Sequence, residues 1–157
     1  MKKILFVILI AVYISSCEKA DDYSETPVIS FKSFSFEMKE TDLSTIIPIG
    51  LLKMDFVDGD GDIGFYENSI PETDTTIYDV FIYEFIKRNG VFMPSDTEKY
   101  LLPYFEEAVY RKHIKGELAF EIFYEKEHGD TIKYEFEIMD RAYHLSNRES
   151  TPELIVP

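Results

Sequence analysis

The chain has 157 residues, with 30 acidic against 16 basic and a formal charge of −14. Such a surface repels phosphate, and no basic stripe interrupts it, so nucleic acid is excluded as a partner. An apolar share of 45%, rich in Phe and Tyr, suffices for one packed core, and a single cysteine excludes an internal disulfide.

The first element is a leader. Lys2 and Lys3 precede an unbroken apolar run from Ile4 to Ile14, followed by Ser15 and Ser16. The run is about half the roughly 20 residues a spanning helix needs, so it reads as a signal h-region. Ile14-Ser15-Ser16-Cys17 resembles the lipobox of bacterial lipoproteins, with an aliphatic residue at −3, small residues at −2 and −1 and Cys at +1. The resemblance implies cleavage before Cys17 and a thioether-linked lipid on it, which also accounts for the lone thiol of an exported chain. Each buried CH₂ contributes about 0.8 kcal/mol, so several acyl chains anchor stably where one would not. The leader takes Lys2 and Lys3 with it, moving the formal charge from −14 to −16.

The chain therefore divides into a signal peptide (1–16), a lipidated tether (17–27) and one domain (28–157). Glu18–Pro27 is polar and aperiodic, the pattern of a flexible linker. Glu18, Asp21 and Asp22 resemble the export signal of Bacteroidota surface lipoproteins. That implies the outer face of the outer membrane, with the periplasmic face as the alternative.

From Val28 onward the pattern is that of strands. Val28–Phe36 is the first. Ile46–Val57 is the second, with Ile46, Leu52, Met54 and Phe56 on one face and Pro48 marking an edge or bulge. Ile77–Arg88 is aromatic and β-branched and ends at Asn89-Gly90, a two-residue hairpin signal. Ser95–Lys112 is irregular and predicts a short helix or a loop packed through Leu101, Leu102, Tyr104 and Phe105. Leu118–Tyr124 and Thr131–Met139 alternate apolar and polar residues at period two, and His128-Gly129-Asp130 between them predicts an antiparallel hairpin. Glu153–Val156 is the last strand. About seven short strands without a long helical period predict an all-β, immunoglobulin-like sandwich, with a small lipocalin-like barrel as the weaker alternative.

The sharpest chemical signal is Asp58-Gly59-Asp60-Gly61-Asp62-Ile63-Gly64. Carboxylates at i, i+2 and i+4 repel by about 1 kcal/mol per pair at 4 Å even in water. A hard cation converts the repulsion into binding. Ca²⁺ takes six to eight oxygens, which a glycine-rich loop can supply from side chains and carbonyls together. This is not an EF-hand, since Ile63 and Ser69 stand where that loop has Gly and Glu. Asp55 is a further candidate ligand. If the strands follow immunoglobulin order, the acidic loop joins strands B and C, and the loop after Met139 joins F and G at the same end. Asp140 then completes the set Asp58, Asp60, Asp62 and Asp55.

Phe56–Gly64, together with Asp140-Arg141-Ala142-Tyr143-His144-Leu145-Ser146-Asn147 and the following Thr151-Pro152, resembles segments of small Bacteroidota lipoproteins of unknown function. The second segment is also similar to the last hairpin of bacterial Ig-like domains, often DxAGNxSN…T. Tyr143-His144 departs from that pattern. The resemblance implies an Ig-like fold on a surface lipoprotein and no reaction.

Enzyme motifs are absent: there is no GxSxG, HExxH or P-loop. His113, His128 and His144 are too scattered for a zinc site and read as structural or solvated. Asp74-Thr75-Thr76 and Asp130-Thr131-Ile132 resemble the short O-glycosylation motif of the phylum. The expected function is a non-enzymatic, membrane-tethered module with structural Ca²⁺ that binds a protein or glycan. The alternatives are an accessory subunit of an outer-membrane complex and, third, a hydrolase.

Overall fold

The computed structural model describes residues 23–40, 44, 46–65, 77–105, 113–123 and 128–157. The leader, Cys17, Glu18–Asp22 and Asp74–Thr76 lie outside the described residues.

Among the described residues there are eight strands: β1 (Val28–Glu40), β2 (Ile46–Asp58), β3 (Val80–Arg88), β4 (Val91–Tyr100), β5 (Ile114–Phe123), β6 (Thr131–Ile138), β7 (Glu149–Ser150) and β8 (Leu154–Ile155). No helix occurs among the described residues. The strands make two antiparallel sheets. One is ordered β1-β2-β5 and the other β4-β3-β6-β7, with β8 also on β6. This is the immunoglobulin-like arrangement, with β1, β2 and β5 in the places of A, B and E, and β4, β3, β6 and β7 in those of C′, C, F and G.

Alternation builds the core between the sheets. β2 turns Leu52, Met54 and Phe56 inward, β5 turns Leu118, Phe120 and Ile122, and β6 turns Ile132, Tyr134, Phe136 and Ile138. Each such side chain contributes about 1.5–3 kcal/mol by leaving water. Aromatic contacts knit the two layers. Phe34 stacks on Tyr134 at 5.4 Å, and Tyr100 meets Phe120 at 5.0 Å. Glu84 also points inward and accepts the Tyr134 hydroxyl at 3.1 Å. Ile46 lies outside this core at 64% exposure, beyond the described β5 ladder. Pro48 falls one residue before that ladder begins at Ile49, where β2 is flanked by β1.

Asn89 and Gly90 form the expected tight turn, with φ of 52° and 81°. Other connections differ from the expectation. Ser95–Tyr100 belongs to β4, not to a helix, and pairs along β3. Leu118–Phe123 and Thr131–Ile138 do not form a hairpin. β5 pairs with β2 in one sheet and β6 with β3 in the other. The connection crosses between layers because β6 is occupied on both sides, by β3 and by β7 with β8. The Gly129 turn holds the C-terminal strand instead: Gly129 N–H donates to Val156 O and Val156 N–H to Asp130 O, both at 2.9 Å.

The end of the expected tether is part of the domain. Pro27 is buried, Tyr23 lies 4.8 Å from the His113 ring, and Ser24 O accepts the Gly59 N–H at 2.8 Å.

Candidate metal centre

The two loops at one end of the sandwich meet as immunoglobulin order requires. On β2, the alternation that buries Leu52, Met54 and Phe56 continues to Asp58, which is fully buried. Its Oδ2 accepts the backbone N–H of Asp62 at 2.8 Å, closing the acidic loop. Gly61, at φ 71°, supplies the left-handed residue that this closure needs. Ile63 is buried in the core and Phe65 N–H donates to Leu102 O, so the loop is pinned beyond its turn.

The second loop closes on Asp140. His144 N–H donates to Asp140 Oδ1 at 2.7 Å, and His144 Nδ1 lies 2.9 Å from Oδ2. Tyr143 takes φ 67°, the conformation that glycine would supply in the Ig-like motif it departs from. Three contacts lace the loops together. Arg141 N–H donates to Asp62 O, Ala142 N–H donates to Asp62 Oδ2, and Arg141 Nη1 donates to Gly64 O at 2.6 Å. The Arg141 guanidinium also lies over the Tyr104 ring.

One carboxylate oxygen each from Asp58, Asp62 and Asp140 lies within 4.8 Å of the others. Oxygens at about 2.3–2.6 Å from a Ca²⁺ are at most about 5 Å apart, so all three fit one coordination sphere. Asp58 Oδ1 and Asp62 Oδ1 are buried without a hydrogen-bond partner among the described residues. Two unpaired buried carboxylate oxygens beside a third carboxylate are costly unless a cation or a proton neutralises them. Burial pushes the Asp58 carboxyl up to about 7 against the opposing Asp62 N–H, and the charges of Asp60, Asp62 and Asp140 add to the rise. Asp62 is raised too, by burial and then by Asp140 and Asp60, with Arg141 opposing. The donor set is hard oxygen, which suits Ca²⁺ over a softer metal.

No family model, curated protein or solved structure matches this chain. The site therefore rests on its own geometry.

Of the five expected ligands, Asp58, Asp62 and Asp140 converge. Asp60 does not join them; it is solvent-exposed, and its charge adds to the rise at Asp58. Asp55 requires a correction. It lies three residues before Asp58, so the same alternation turns it to the opposite face, where it pairs with Lys32 at 2.9 Å. Lys32 also bridges to Glu117 at 2.8 Å.

Two residues went unread in the sequence. Arg141 straps the acidic loop, a role that a lone cation between an aspartate and a turn could have suggested. Asp79, at the head of β3, is fully buried. Its Oδ1 accepts Leu102 N–H at 2.8 Å and its Oδ2 has no partner among the described residues. No local pattern marks it. Ser146 and Thr151 have a structural role. Their hydroxyls accept the β6 amides of Ile138 and Tyr134, extending the ladder where the chain has left the strand.

Proposed function

We propose that this chain is a lipid-anchored, non-enzymatic β-sandwich module of the bacterial outer membrane, stapled by one Ca²⁺ between its second-strand and sixth-strand loops. It presents the sandwich to a protein or glycan partner. The observation that carries the metal is the convergence of Asp58, Asp62 and Asp140, with two buried oxygens among them that have no partner among the described residues. Extracellular calcium modules bind at about 10⁻⁴–10⁻³ M, so the ion acts as a constant staple and not as a sensor of cytosolic signals. The anchor rests on Ile14-Ser15-Ser16-Cys17 and the single cysteine.

Calorimetric titration of Ca²⁺ tests the centre. One ion per chain is expected for the natural sequence, with binding weakened at least tenfold in Asp140→Ala. An unchanged isotherm in that variant would remove Asp140 from the site. Palmitate labelling of the full chain in a bacterial host tests the anchor, with incorporation expected to vanish in Cys17→Ser.

A further inference from the structure

The loop that carries Asp58 and Asp62 also holds the segment leading to the proposed anchor. Gly59 lies between ligand Asp58 and Asp60, and its N–H is the donor that grips Ser24 O at 2.8 Å. The grip is tight. A Cβ on Gly59 would overlap the carbonyl oxygens of both Tyr23 and Ser24, so only glycine lets the two backbones approach this closely. Tyr23 packs outward from there. Its ring lies 4.8 Å from the His113 ring, and Lys115 Nζ lies 5.9 Å above it. It also walls a cleft of about 300 Å³ with Val28, Phe56 and Lys115.

We infer that the metal loop is a cation-dependent clamp on Tyr23–Thr26, an inference that rests on the metal reading above. A bound ion holds Asp58, Asp62 and Asp140 together and fixes Gly59 in the position that grips Ser24. Without the ion, the three carboxylates drive the loop apart, Gly59 shifts with Asp58, and the backbone bond to Ser24 is lost. Release changes the reach of the sandwich from Cys17. With the clamp closed, Glu18–Asp22 spans at most about 17 Å; with it open, the segment as far as Thr26, before the buried Pro27, spans at most about 31 Å, at roughly 3.4 Å per residue. The cation thus sets how far the module stands from its membrane.

The test is limited proteolysis of the lipidated full chain in detergent micelles, run beside Ca²⁺ calorimetry. A glutamate-specific protease cleaves after Glu25 when the segment is free, and cleavage after Glu98 in β4 reports unfolding of the sandwich itself. The clamp predicts that saturating Ca²⁺ slows cleavage after Glu25 at least tenfold relative to chelator, and that in chelator Glu25 is cut at least tenfold faster than Glu98, so that the segment is released without unfolding of the sandwich. It predicts that Gly59→Ala is cut after Glu25 at the fast rate with or without Ca²⁺. If Ca²⁺ binds but the Glu25 rate is the same in both conditions, the clamp is wrong and the metal centre stands. If no binding is measured, both fall. Should Gly59→Ala fail to fold, Tyr23→Ala provides a second probe, with a faster Glu25 rate in Ca²⁺ than the natural chain.

Discussion

At Asp79 a carboxyl group is fully buried, with one oxygen bonded to the Leu102 N–H and the other without a partner among the described residues. Burial raises it to about 7, against the N–H groups it accepts. An acid raised on folding is held best in its protonated form. Its stabilising contribution is complete below about pH 4 and is lost as the pH rises from there through about 7. Asp58 behaves in the same direction when no cation neutralises it. In chelator, urea unfolding should therefore show stability falling between pH 4 and 8. Asp79→Asn, which keeps an oxygen for Leu102, should flatten that fall and be more stable than the natural chain at pH 8. Tyr143 is a second local cost. It is 67% exposed and holds φ 67°, a conformation that disfavours a side chain by about 1–2 kcal/mol. Tyr143→Gly should raise the free energy of unfolding by about 1 kcal/mol, because little packing is lost. A loss of stability in that variant would mean that the ring contributes to the loop.

The elements show which information a strand carries. Period two marks which face of a strand is buried, and it did so for β2, β5 and β6. The same rule applied to Asp55 and Asp58, an odd number of positions apart, would have placed them on opposite faces. Asn89-Gly90 was legible because a two-residue turn with both φ positive admits few sequences. Strand neighbours were not legible. The alternation of Leu118–Phe123 and Thr131–Ile138 is equally satisfied by one sheet or by two, and the choice is made by β3, β7 and β8 from elsewhere in the chain. The Ser146 and Asn147 positions of the C-terminal motif gain a physical meaning only in the fold. Asn147 Oδ1 accepts Ile29 N–H and its Nδ2 donates to Ile29 O, both at 2.9 Å, so one side chain joins β1 to the opposite sheet. Asn147→Ala should cost about 1–3 kcal/mol in urea unfolding, since two β1 backbone groups lose their partners. Burial at the β6 centre sets a larger scale. Phe136→Ala should cost about 3–5 kcal/mol.

For the whole molecule, the sandwich is a frame that brings two loops distant in sequence to one end. Asp58 and Asp62 arrive on one loop and Asp140 on the other, 78 residues after Asp62. The three-carboxylate group was foreseeable once immunoglobulin order was assumed, because that order alone places the second-strand and sixth-strand loops together. Which of the acidic residues would converge was decided by burial at the strand ends and by the Arg141 strap. The account holds that this group is a cation site that stabilises the fold. Its most direct test is thermal unfolding of the full chain in detergent, at pH 8, with Ca²⁺ in about hundredfold excess over its dissociation constant and with chelator. A ligand bound to the folded state alone adds about 2.7 kcal/mol at that excess. The midpoint should rise by several degrees with Ca²⁺ and by little in Asp58→Asn or Asp140→Ala. Superimposed unfolding curves with and without Ca²⁺ would contradict the account.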